Sequence, residues 1–151
     1  MSAVLARRIQ QHCHLPAAET RPPQILCVDD DPDVQTTIEL RMREFDVEVQ
    51  HAFYGSQGIF EATTRTPDLI LMDLAMPNGN GEYLLESLRR NDLTAEIPVI
   101  VITGMRDPVL KRRILDSGAD VFLEKPTRFE DLLHQMSRFI ELRRRNEEES
   151  I

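Results

Sequence analysis

Two cysteines in 151 residues, Cys13 and Cys27, are too few and too poorly placed for a disulfide framework. One stands in a polar N-terminal stretch and the other inside an apolar run, so a reducing compartment, the cytoplasm, is expected. The run of about 20 apolar residues that a membrane span requires is missing. Arg7 and Arg8 are not followed by an apolar segment, which works against a secretory signal. Basic residues are also scarce. Eighteen Lys and Arg against 26 Asp and Glu leave a net charge of -8 and no basic stripe. Such a chain repels nucleic acid and anionic membrane, so neither is expected as a direct partner. Repeats and low-complexity tracts are absent. Two apparent cofactor motifs are incomplete. Gly79-Asn80-Gly81 lacks the third glycine of a dinucleotide fingerprint, Leu84 standing there, and reads as a turn opening a helix. His12-Cys13-His14 lacks a partner pair at zinc spacing.

What the chain does contain is one domain's worth of alternating patterns, with 41% hydrophobic residues to build a core. Residues 1–23 read as a leader, with a short helix over Ala3 to Gln11 that Pro16, Pro22 and Pro23 prevent from continuing. The domain is expected over 24–145, with a polar tail over 146–151. Ile25–Val28, Leu69–Met72 and Val99–Ile102 are unbroken apolar runs, as strands buried on both faces require. Helical patterns separate them, which indicates a parallel sheet with covering helices. The segment DVEVQ, alternating at Val47 and Val49, suits an edge strand. Val34, Ile38, Met42 and Phe45 give the first helix its apolar stripe; Phe129, Leu132, Leu133, Met136 and Ile140 do so for the last. Asp107-Pro108 reads as an N-cap with proline at the first helical position. Arg143–Arg145 followed by Glu147–Glu149 is expected to extend the last helix through i,i+4 ion pairs.

Four of the apolar runs end in polar groups. Asp29, Asp30 and Asp31 follow the first, Asp73 follows LILM, Thr103 closes VIVIT, and Lys125 follows VFLE. In an open α/β sheet, ligands bind at these carboxyl ends, where the winding reverses. A carboxylate can accept a phosphoryl group if charge on that group is neutralised, and Mg2+ held by one or two carboxylates does this. Capping alone would require only one aspartate, for which Asp31 is the candidate. Four acids facing each other would repel unless a cation or proton intervened. Lys125 read alone is a solvated lysine, and Thr103 alone a packing residue; their places beside the acids make them candidates. Cys27 reads as an inert small hydrophobe.

The VDDDP opening, the LILMDLAMPNGNG loop, VIVITG and GADVFLEKP, in that order, resemble the receiver domain of two-component response regulators over residues 24–145. The resemblance implies a flavodoxin-like (βα)5 domain with strand order 2-1-3-4-5. It implies Asp73 as phosphoacceptor, Asp30, Asp73 and the backbone carbonyl of Ala75 as direct Mg2+ ligands, and Asp29 acting through water. Thr103 would bond a phosphoryl oxygen, Lys125 would pair with the modified carboxylate, and Lys125–Pro126 would be cis. Phe122 matches a switch aromatic that turns inward, or else is an ordinary core residue. The implied partners are a sensor histidine kinase or histidine phosphotransfer protein and a downstream protein target.

The sequence departs from the family pattern at three places. Gly104 stands where alanine is frequent and gives its loop more freedom. Thr127 replaces a common phenylalanine. Gln135 replaces the arginine usual in a dimerising DNA-binding subfamily, which argues against that dimer. Two rival readings remain at this point. One is a phosphatase of the haloacid dehalogenase class, whose D-x-D signature Asp29 and Asp31 imitate, although Asp33 is atypical and Asp73 is left unexplained. The other is a receiver-like binding module that is never phosphorylated.

Overall fold

In the computed structural model, which describes residues 21–76 and 81–146, five strands form a single parallel sheet in the order β2-β1-β3-β4-β5. The strands are β1 (Gln24–Val28), β2 (Glu48–Ala52), β3 (Leu69–Met72), β4 (Val99–Thr103) and β5 (Val121–Glu124). The helices are α1 (Pro32–Met42), α2 (Gly55–Arg65), α3 (Gly81–Arg90), α4 (Pro108–Asp116) and α5 (Phe129–Ser137). The parallel sheet expected from the strand-helix alternation is observed, in the flavodoxin-like order that the resemblance implied.

Because successive strand residues face opposite sides, each apolar run feeds two cores. Leu26, Val28, Ile70 and Met72 pack with Ala62, Leu84, Leu88, Leu110 and Ile114 from α2, α3 and α4. Ile25, Cys27, Leu69 and Leu71 pack with Ile38 and Met42 of α1 and Leu132 and Met136 of α5. Continuous apolar runs are needed because neither face of β1 or β3 meets water.

Two helix starts follow from short-range chemistry. Asp31 accepts from Asp33 N at 2.9 Å with Pro32 opening α1. Asp107 accepts from Val109 N at 2.9 Å with Pro108 opening α4. Each cap satisfies an otherwise orphaned donor.

The edge strand starts at Glu48, two residues after the start of the alternating DVEVQ segment, leaving Phe45 and Val47 buried ahead of it. Phe45 therefore lies beyond α1, and Gln35 joins Ile38 and Met42 in the buried stripe, with Val34 packing half-buried against the same core.

The last helix also differs from expectation. It ends at Ser137, and Arg143–Arg145 do not continue it. Instead Arg143 O accepts from Asp46 N at 2.8 Å and Arg145 N donates to Glu44 O at 2.9 Å, around an antiparallel bridge between Arg144 and Phe45. Exposed i,i+4 pairs in unfavourable order are worth only a few tenths of a kcal/mol. Segment 143–145 gains two backbone hydrogen bonds to 44–46 and places the Arg144 guanidinium 5.2 Å from the Phe45 ring centroid, which outweighs them. Glu147–Glu149, the Ala3–Gln11 helix and His12-Cys13-His14 lie outside the described residues, as does most of the expected leader. Among the described residues, no helix is long and apolar enough to cross a membrane.

Candidate phosphoryl and cation site

The sheet register assembles the site. Val28 is opposite Met72 on β3, so Asp29 and Asp73 emerge side by side one residue beyond neighbouring strands. On the other side of β3, Thr103 closes β4 opposite Glu124, and Lys125 follows β5. Backbone bonds fix these exits: Asp29 N donates to Ala52 O at 3.0 Å, Asp73 N to Val28 O at 3.0 Å, and Lys125 N to Thr103 O at 2.8 Å.

Asp29 and Asp73 are 4% and 8% exposed, while Asp30 sits at the exposed rim. One carboxylate oxygen from each of the three lies within 4.8 Å of the others. Lys125 Nζ bridges the two buried acids, 3.1 Å from Asp73 Oδ2 and 3.4 Å from Asp29 Oδ2. The second oxygens are held locally: Asp73 Oδ1 accepts from Ala75 N at 3.1 Å, and Asp29 Oδ1 from Asp31 N at 2.9 Å. Thr103 is fully buried, and its Oγ1 accepts from Met105 N at 3.2 Å. The Lys125–Pro126 bond is cis.

Burial pushes the Asp29 carboxyl up from its ordinary value, assisted by the charge of Asp73 and opposed by the Asp31 N–H and Lys125. Burial works to lower the Lys125 ammonium. The hydrogen bond to Asp73, then the charges of Asp29 and Asp73, outweigh it, so Lys125 is raised overall. Burial, with a smaller push from Asp29, drives the Cys27 thiol up to about 12, which keeps it the inert thiol expected.

A pH dependence follows for the metal-free protein. Lys125 is raised, so its contribution is fully present below its unfolded value and lost as pH rises through the folded one. Asp29 is also raised, so its burial becomes a net cost as pH rises through its folded value. Lys125→Met removes the cation that offsets this. The expected loss is about 1–2 kcal/mol at neutral pH, discounted because the ammonium is 33% exposed. It should shrink as pH falls through the raised Asp29 value, and again as pH rises above the raised lysine value. Urea unfolding of both proteins across pH tests this. A gap that does not change with pH would assign the loss to packing.

Two residues were given no part in the site from sequence. Gly81 opens α3 so close to β3 that a Cβ would stand 2.5 Å from Asp73 O and 2.7 Å from Leu74 Cα. Only glycine lets α3 begin against the backbone at Asp73 and Leu74; the unfinished dinucleotide motif was the signal. Gln35, a polar residue in an apolar stripe, contacts Asp29 from beneath. At Gly104, by contrast, a Cβ would meet open space, so the alanine frequent there in the family would fit. Phe122 is already buried in the core beside α4, with Lys111 Nζ 6.0 Å from its ring centroid. Asp31, the second acid of the D-x-D imitation, is spent on capping α1.

Fold and site together define a doubly wound domain that presents buried carboxylates and a lysine at its switch point, a signalling module of the phosphoacceptor type. The response regulator receiver domain model matches residues 25–137, and the chain belongs to that family. The master transcriptional regulator RpaA of Synechocystis, described as DNA-binding, is 37% identical over 74% of this chain and 46% of its own length. Response regulator ArlR of Staphylococcus saprophyticus is 37% identical over 73% of this chain and 49% of its own. The chain thus spans about half the length of these relatives. Among solved structures, the receiver domain of a Francisella response regulator aligns with TM-score 0.72 at 29% identity, over 78% of this chain and 95% of that one. The receiver domain of a sensor histidine kinase from Pseudomonas aeruginosa, described with magnesium coordinated in its active-site cleft, aligns with TM-score 0.72 at 27% identity, over 78% and 97%. Nothing in these comparisons supports the phosphatase alternative.

Proposed function

We propose that this receiver takes a phosphoryl group from a phosphohistidine on a sensor kinase or phosphotransfer protein onto Asp73, in the cytoplasm, and signals by protein-protein contact. The observation that carries the reading is the bridging of Asp73 and Asp29 by Lys125, beside the three-carboxylate cluster. An Asp73 oxygen attacks phosphorus, the P–N bond breaks, its electron pair stays with the imidazole, and an acyl phosphate forms. Lys125 and the Ala75 N–H hold the Asp73 carboxylate in place, and Lys125 also offsets charge on the transferred group. The chain promotes only its own phosphorylation and dephosphorylation.

The donor set fits a hard divalent cation: three carboxylates, with no sulfur or imidazole donor in the cluster. Asp30, Asp73 and the Ala75 carbonyl would hold Mg2+, with Asp29 completing the charge; bound Mg2+ would neutralise phosphoryl oxygens. Thr103 would bond a phosphoryl oxygen, with Phe122 as the associated switch aromatic.

Transfer from a phosphohistidine-bearing kinase, followed with and without Mg2+, tests the reading; failure with a panel of kinases and with acetyl phosphate would favour the unphosphorylated binding module. Mg2+ should also stabilise the fold. At tenfold over its dissociation constant, one site contributes about 1.4 kcal/mol. Asp30→Ala should lose most of this response, and its metal-free melting temperature should rise as crowded charge is removed. Equal Mg2+ sensitivity in both proteins would contradict the site.

A further inference from the structure

Gln35, on the buried side of α1, is 3% exposed. Three backbone carbonyls surround one terminal atom of its side chain: Cys27 O at 3.0 Å, Asp29 O at 3.1 Å and Ala52 O at 2.9 Å. Carbonyl oxygens only accept, so that atom is the amide nitrogen, its two N–H groups shared among three acceptors. The side-chain oxygen is then left facing His51 Nδ1 on β2, which must carry the proton of that hydrogen bond. His51 Nε2 is 3.4 Å from Glu39 Oε2 without hydrogen-bond alignment.

This arrangement holds the backbone of Asp29 on both sides of its Cα. Its N–H donates to Ala52 O, the same carbonyl that Gln35 engages, and its C=O accepts from Gln35 directly. Packing alone does not call for a carboxamide here. A leucine would fill the same position beside Ile38 and Met42 without the cost of burying polar atoms. What leucine cannot do is tie the end of β2 to the turn that carries Asp29 and Asp30.

We propose that Gln35 is a positioning residue for cation binding: it fixes the Asp29 peptide, and so the direction in which Asp29 and Asp30 present their carboxylates, while His51 fixes Gln35. The proposal rests on the reading of Asp29, Asp30 and Asp73 as the Mg2+ site. Partners that orient ligands without touching the metal commonly govern affinity by 10–100-fold.

Calorimetric titration with Mg2+ of the wild type, Gln35→Leu, His51→Leu and Ile38→Ala tests it, with urea unfolding run on each. Gln35→Leu should weaken Mg2+ about tenfold, and His51→Leu about threefold. Ile38→Ala, which weakens α1 packing without touching the Asp29 peptide, should bind Mg2+ as the wild type does. At saturating Mg2+, Gln35→Leu should recover phosphoryl acceptance from acetyl phosphate. Should Gln35→Leu fail to fold, His51→Leu decides, since its site is at the partly exposed sheet edge. Wild-type affinity in either folded variant, or equal weakening in Ile38→Ala, overturns the proposal. A wild type that does not bind Mg2+ removes the site reading itself and this proposal with it.

Discussion

Asp73→Asn is expected to reduce phosphoryl acceptance from one group per chain to none. With acetyl phosphate and Mg2+, intact mass should show a single phosphoryl addition to the wild type and no addition to the variant. The amide keeps the shape of the carboxylate but lacks a charged oxygen able to attack phosphorus. The variant also tests whether Asp29 can stand in, since it is held as Asp73 is, one oxygen on a backbone N–H and the other on Lys125. The fold should survive, because removing one of two buried charges beside Lys125 relieves their repulsion. Unchanged labelling in a folded Asp73→Asn would sink the assignment. A wild type that takes up no phosphoryl from any donor would instead favour the unphosphorylated binding module.

That much of the site could be read from sequence because strand periodicity and parallel topology settle where strand ends meet. Once LCV and LILM are recognised as neighbouring buried strands, Asp29 and Asp73 have to emerge together. Asp31 and Asp107 were legible for a similar reason: an acid before proline at a helix start is a local signal with local chemistry. Features set by tertiary competition were not legible. The end of α5 depends on whether Arg143–Arg145 gain more by pairing with residues 44–46 than from exposed helical pairs, and sequence shows only the second. The start of β2 moved for the same reason, as Val47 is buried ahead of the ladder rather than within it. Gln35 was hidden because a glutamine on a helix usually faces water. Its spacing of three and seven residues from Ile38 and Met42 was the available sign that it faces the core.

Thr103→Ala is expected to leave acceptance at Asp73 intact and to abolish its transmission, so that chemistry and signalling part company. In the structure the hydroxyl is fully buried and accepts from Met105 N, so it ties down the start of the β4–α4 connection. A phosphoryl group on Asp73 adds up to two negative charges and strong acceptor oxygens. The Thr103 hydroxyl can donate to one of them, and the connection through Gly104, where nothing crowds the backbone, can follow. Next along the chain, Arg106 Nη2 donates to Lys125 O at 3.2 Å, so a moving loop pulls on the residue after β5. Phe122 is already packed inward here, which leaves Thr103 and its loop as the expected origin of the response. The phosphoryl group can shift the equilibrium only by its differential affinity for the two states, and alanine removes the contact that supplies it. Beryllofluoride with Mg2+, a stable stand-in for the phosphoryl group, allows the comparison by NMR. In the wild type, amide shifts should spread from the acidic pocket through residues 103–107 into α4 and β5. In Thr103→Ala they should stop at the pocket, with any phosphorylation-dependent partner binding lost. Equal spread into α4 and β5 in both proteins would show that the signal leaves the site by a route that does not pass through Thr103.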